Sequence, residues 1–261
     1  MANCSCDLHP AVVKFGPLLI CDAPIVGAWL LAVTLGVVGG AKLLQLGSNV
    51  IGSFSYSLIF FTYAVMISSG LVTHCVYLVE CGVQPPSTPG YRYAGLLDAS
   101  LTSSIAVMFL YSGLVDMKLI KERSIVSLLL LFSACGAIFY INFSQAFPVL
   151  NVYKWSIEVC CGGYILIQAL LLVQHGVCSS VIPITWLSGA AISGGGSFYL
   201  LFWQYCWLCQ HLGPWSLQGV WYYGADVSMF FIFLFIWSTR SSQVDQSVNI
   251  KSIMKPVVFV G

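Results

Sequence analysis

Seven continuous apolar runs, each close to the twenty residues that a helix needs to cross a bilayer, dominate this chain. They extend approximately over residues 24–46, 53–78, 92–115, 125–143, 155–173, 182–208 and 217–237. In hydrocarbon every backbone N–H and C=O needs an internal partner, which only helices and closed barrels provide. Barrel strands alternate apolar and polar residues over about ten positions, and these runs do not alternate. The pattern predicts an all-α polytopic membrane protein, a bundle of about seven transmembrane helices making a single domain over residues 1–261. Composition agrees, since only 7% of residues are charged and 59% are hydrophobic, against about 25% charged in a soluble domain. The surplus apolar surface must face lipid, so the bilayer is the first partner.

The connections carry turn chemistry. Gln84 to Gly90 is rich in proline, Met117 to Ser124 is a short charged turn, and Gly213-Pro214 interrupts the chain before the last run. Orientation follows from the basic residues. With seven crossings, Lys42, Lys118, Lys121, Arg123, Arg240, Lys251 and Lys255 fall on one side, and Lys14, Arg92 and Lys154 on the other. Positive loops stay cytoplasmic. The amino terminus is therefore expected to be extracellular or lumenal, and the tail from residue 240 to 261 cytosolic. The opening stretch Met1 to Gly16 contains Asp7, His9 and Pro10 and lacks a positive start, so it reads as uncleaved. A formal charge of +1 with no dense basic face excludes nucleic acid as a partner.

Ionisable groups at membrane depth are expensive and tend to face a bundle interior or a wet cavity. Four stand out: His74, Asp98, Glu158 and Asp226. On this topology all four lie in the outer half of the membrane, which one outward-facing polar pocket would explain, with Asp98 and Asp226 as its central ligand- or ion-binding groups. Blander readings exist for two of them. Glu158 follows Lys154 by four residues and could simply pair with it, while His74 is near enough to the surface to be solvated. Small residues such as Ser68, Ser69, Gly70 and the run Gly194-Gly195-Gly196 suit close helix packing, and a glycine triplet also weakens a helix. The aromatics Trp203, Tyr205, Trp207, Trp215, Trp221, Tyr222 and Tyr223 resemble an interfacial belt. Of the eleven cysteines, Cys81, Cys206 and Cys209 could meet on an oxidising outer face and form a disulfide. Asn142-Phe143-Ser144 matches a glycosylation acceptor but abuts a helix end, so occupancy is not expected. The sequence implies no cofactor, no metal and no catalytic residue.

Arg92-Tyr93-Ala94 and Asp226-Val227-Ser228 resemble the third and seventh helices of microbial rhodopsins, but Phe230 stands where the retinal lysine belongs, which excludes retinal. G-protein-coupled receptor signatures are replaced by Asp116-Met117-Lys118 and Phe235-Ile236-Trp237. Ser69 to His74 and Leu97-Asp98-Ala99-Ser100 resemble the serine-to-histidine step and helix-three aspartate of the seven-helix superfamily of alkaline ceramidases and progestin/adipoQ receptors. That resemblance implies a lipid hydrolase, yet the seventh helix has no histidine to complete its zinc site. Arg92-Tyr93 with Asp98, and Trp221 with Asp226-Val227 and Phe230 to Phe235, resemble the transmembrane protein 187 family, which implies a seven-helix class without a mechanism. Three functions follow as expectations: a non-catalytic protein binding or moving a small ligand or ion, a membrane-embedded lipid hydrolase, or a structural or assembly protein.

Overall fold

The computed structural model describes residues 12–15, 18–21, 23–47, 50–76, 89–174, 181–203, 207 and 217–253; at 12–15, 18–21, 23–24, 74, 76, 89–91, 181, 217–218 and 241–253 the backbone alone is described. Within these residues the chain forms seven helical rods. They are α1 (Ala23–Gln45), α2 (Ser53–Leu71), α3 (Pro89–Asp116), α4 (Ile125–Ser144), α5 (Val149–Gln174), α6 (Val181–Trp203) and α7 (Leu217–Ile253). Six of them contain spans long and apolar enough to cross a membrane. The remaining rod, α6, has 23 residues and no charge; its glycines and serines lower its mean hydropathy. The protein is an integral, multi-pass, all-α membrane protein.

Its interior is more polar than its exterior at several helices. The only buried residues of α4 are Ser127, Leu131, Cys135 and Asn142, a single stripe against α3, while Leu129, Leu130 and Phe132 point outward. Asn142 is fully buried and donates through its amide nitrogen to Ser100 Oγ at 3.0 Å, so its role is helix pairing and no glycan can occupy it. Along α2 the buried set includes Ser53, Ser55, Ser57 and Ser69. In lipid this inversion is expected, because a small polar side chain gains from a partner helix and a leucine gains nothing by leaving the lipid.

Three local differences from the sequence expectation have physical reasons. α5 begins at Val149, not near Trp155, because Pro148 takes the N-cap and the first two turns are amphipathic. Tyr153 faces inward against Phe202 and Trp221, while Lys154 lies over the Trp203 ring at 3.7 Å. Hydropathy sees Asn151 and Lys154 and starts the helix too late. Second, a π-helical turn, Val72–Val76, continues the chain directly from α2, and α5 contains another, Ile157–Cys161. Third, a two-stranded hairpin, β1 (Val12–Phe15) and β2 (Leu18–Cys21), precedes α1, pairing Phe15 with Leu18 across the sequence Gly16-Pro17. Its β-branched and aromatic residues suit a strand pair, but it is too short to alter the helical class.

Candidate functional site

At one end of the bundle α2, α3 and α7 bring two aspartates to one tyrosine cluster. Tyr222 and Asp226 are four residues apart on α7 and so share a face. Tyr63 of α2 donates its hydroxyl to Asp226 Oδ1 at 2.5 Å. Tyr222 donates to Asp98 Oδ2 of α3 at 3.4 Å, a long and weak bond. Tyr222 also lies near Tyr63 and Tyr153, which brings the two carboxylates into one neighbourhood. The backbone of Gly70 makes this possible: a Cβ there would collide with Tyr222 Oη and stand 3.2 Å from Asp98 Oδ1. Asp98 Oδ1 and Asp226 Oδ2 are buried and have no hydrogen-bond partner among the described residues. Neither carboxylate has a cation partner there either, since the two ion pairs present are Lys154–Glu158 and Arg240–Asp116.

The other residues singled out in the sequence are placed differently. Glu158 lies on the π turn of α5 with its side chain 40% exposed, 3.8 Å from Lys154, and it joins neither aspartate. His74 belongs to the π turn that closes α2, and its side chain lies outside the described residues, as do Cys81, Cys206 and Cys209 and with them the disulfide expectation. Among the described residues no three His, Cys, Asp or Glu side chains gather into a metal-binding group. One expectation is corrected. Trp221 and Tyr222 are 8% and 1% exposed, so they are core residues of α7 and no part of an interfacial belt; Trp203, on the outer surface, fits that belt.

A second polar cluster, at the opposite end, escapes the sequence reading. Arg240 of α7 approaches Asp116 Oδ1 of α3 at 2.5 Å, and Asp116 Oδ2 accepts from Tyr56 Oη of α2 at 2.5 Å and from Gln168 Nε2 of α5 at 2.8 Å. Four helices converge on one carboxylate. Beside it Glu122, from the α3–α4 turn, accepts from the backbone N–H groups of Gly52 and Ser55 at 3.1 and 2.8 Å. It thereby satisfies the open amides at the start of α2 and complements that helix's dipole. Gly52 is at φ +82°, a conformation that favours glycine. The available signal was indirect: an acid ending α3 and an arginine ending α7 fall at the same membrane face for any seven-helix topology.

Between the two clusters lies a cavity of about 370 Å³, walled by α2, α3, α5, α6 and α7. Its lining is almost wholly apolar. Tyr63 and Glu158 reach it, while Asp98 and Asp226 are not among its wall residues.

No protein-family profile matches the chain, and no solved structure does so significantly. Among curated proteins, similarity is found to the chitin synthase export chaperone of Candida albicans, 30% identical over 86 residues (33% of this chain, 26% of the relative). A chitin synthase export chaperone of Eremothecium gossypii is 26% identical over 132 residues (45% of this chain, 38% of the relative). The matched stretches thus span well under half the length of either relative.

Proposed function

We propose that this chain is a non-catalytic membrane chaperone that accompanies another multi-pass membrane protein toward export. The observation that carries this reading is the similarity to export chaperones of two different fungi. It favours the assembly role over the other two that the sequence allows. The helix surfaces suit it. A chaperone for a polytopic client needs spanning helices whose sides are free to pack, and α4 and α5 bury only 22% and 17% of their spans, the lowest of the six. A client helix lying on them would exchange lipid contacts for packing and interhelical hydrogen bonds. The partner is then a membrane protein, and the site of action is the endoplasmic reticulum membrane, where export begins. In this reading the basic end carrying Lys42, Lys118, Lys121, Arg123 and Arg240 faces the cytosol.

The test is complementation. In Candida albicans cells lacking their chitin synthase export chaperone, this chain is expected to restore delivery of fluorescently tagged chitin synthase to the cell surface. In the chain's own cells, its deletion is expected to hold at least one polytopic protein in internal membranes. Surface delivery unchanged in both settings, with the chain inserted and stable, rejects the reading.

A second reading rests on one specific observation, the two buried oxygens of Asp98 and Asp226 that have no hydrogen-bond partner among the described residues. They suit a small cation or a polar ligand group entering the tyrosine cluster. Asp98→Asn and Asp226→Asn would then each abolish a ligand- or ion-dependent stabilisation of the purified protein. Identical thermal shifts with sodium, potassium or calcium salts in wild type and variants would remove it.

A further inference from the structure

We infer that the central cavity is a binding site for one acyl chain of a bilayer lipid, entered sideways between α5 and α6. This inference stands apart from the chaperone reading and from the aspartate cluster.

The walls come from the helices of the bundle, and most of the side chains that form them, Ile105, Phe109, Ile165, Phe198 and Met229 among them, are apolar, with Tyr63, Thr102, Glu158, Tyr164 and Ser228 the polar exceptions. A void of about 370 Å³ whose lining is mostly apolar offers water its two to four polar partners over little of its surface. Left empty, it forfeits dispersion contacts all round its surface. The abundant apolar molecule at this depth is the lipid acyl chain. α6 packs closely along α7 and only sparsely along α5, and the inferred entrance lies on that loosely packed side.

Two features mark the cavity as built. Gly195 lines it, and a Cβ added there would meet nothing within 4 Å. A larger residue would therefore fit there without displacing a neighbour, in contrast to Gly194, whose Cβ would press on Ser228. The π turn Ile157–Cys161 of α5 also forms part of the wall through Ile157, Glu158 and Cys161, and such turns concentrate at functional sites. At the mouth, Glu158 pairs with Lys154, which in turn covers Trp203. This is a polar rim with both signs of charge, able to meet a lipid headgroup while its tail lies inside.

Size argues against a client helix as the occupant. A helix with side chains is about 10 Å across, so about 370 Å³ would hold under 5 Å of it, less than one turn. A slender chain uses the same volume lengthwise.

The probe is a phosphatidylcholine carrying a photoactivatable diazirine in its acyl chain, mixed into nanodiscs holding the full chain. Crosslinks are expected on cavity-wall residues of α5 and α6, competed by unlabelled phosphatidylcholine. Gly195→Leu should lose them, while the outward-facing Leu130→Trp control keeps them. Wild-type crosslinks confined to outer faces such as Leu130 and Leu166, or wall crosslinks that unlabelled lipid does not compete, overturn the inference, and this readout does not depend on Gly195→Leu folding. Client delivery measured separately keeps failure here distinct from failure of the chaperone reading.

Discussion

At one end of the bundle Asp116 faces Arg240 at 2.5 Å and receives hydrogen bonds from Tyr56 and Gln168; at the other, among the described residues, the carboxylates of Asp98 and Asp226 meet tyrosine hydroxyls alone. The two clusters are separated by eighteen residues of α3, about 27 Å at 1.5 Å per residue. Both bury carboxylates, and the chemistry differs in what compensates the charge. The Asp116 cluster is neutral overall as a pair, draws on four helices, and sits where Glu122 also closes the start of α2. The Asp98–Asp226 cluster has two acids, no cation and two partnerless oxygens among the described residues. The first arrangement holds helices in place. The second costs stability, and a cost at this depth calls for a use.

The contrast breaks most sharply at Arg240. Replacing it by alanine leaves Asp116 buried and unpaired, and breaking a buried pair in this way costs about 3–5 kcal/mol. Arg240→Ala should therefore lower the thermal unfolding midpoint in detergent strongly and reduce the monodisperse fraction on size exclusion. The double variant Arg240→Ala/Asp116→Asn should recover much of that loss, because the stranded charge goes with its partner. Equal damage in single and double variants would show that Arg240 acts through packing alone.

Next in size is Gly52. An alanine there must hold φ near +82°, at a cost of about 1–2 kcal/mol. Its Cβ would also press on the Tyr56 ring and lie 3.2 Å from Asp116 Oδ1. Gly52→Ala should destabilise by that much or somewhat more, and its effect should shrink in an Asp116→Asn background if the two are coupled. Glu122→Gln comes below it. The carboxylate serves the Gly52 and Ser55 N–H groups with two separate oxygens, whereas the amide has one, so one of those hydrogen bonds is lost along with the charge at the start of α2, the charge itself being worth about 0.3–1 kcal/mol. High salt should narrow that difference if the dipole is the cause.

How far the sequence could lead is set by what hydropathy registers. The class, and the location of all seven rods, were legible because a span in lipid needs twenty apolar residues whatever it packs against. Asp98 and Asp226 stood out for the same reason, being charges inside apolar runs. Asp116 and Arg240 were hidden by position: each ends a run, where a charge is cheap and reads as solvated. Tyr56, Tyr63, Gln168 and Tyr222 carry no charge and scatter over three helices, so only packing reveals them. Trp221 and Tyr222 were misread because periodicity does not say which face of α7 meets α2 and α3. The cavity was not legible at all, since it is a property of how five helices, α2, α3, α5, α6 and α7, pack around one space.

The smallest effect expected on folding is at the aspartates of the tyrosine cluster, and it carries the most information. Asn in place of Asp226 keeps the shape and the acceptor that Tyr63 uses at Oδ1, and removes a charge that no described cation balances. Replacing an uncompensated buried polar charge by a neutral group of equal volume is neutral or stabilising. Asp226→Asn should leave the unfolding midpoint unchanged or raise it slightly, and Asp98→Asn should do the same, since its bond to Tyr222 is already long at 3.4 Å. Because Tyr222 joins the two neighbourhoods, the double variant should depart from the sum of the singles by about 0.5 kcal/mol or more, as groups in one hydrogen-bonded network do. Client delivery is then the deciding measurement. A stable double variant that no longer supports delivery would assign the two acids to function. A double variant as unstable as Arg240→Ala would make both clusters structural, and the contrast between the two ends of the bundle would be lost.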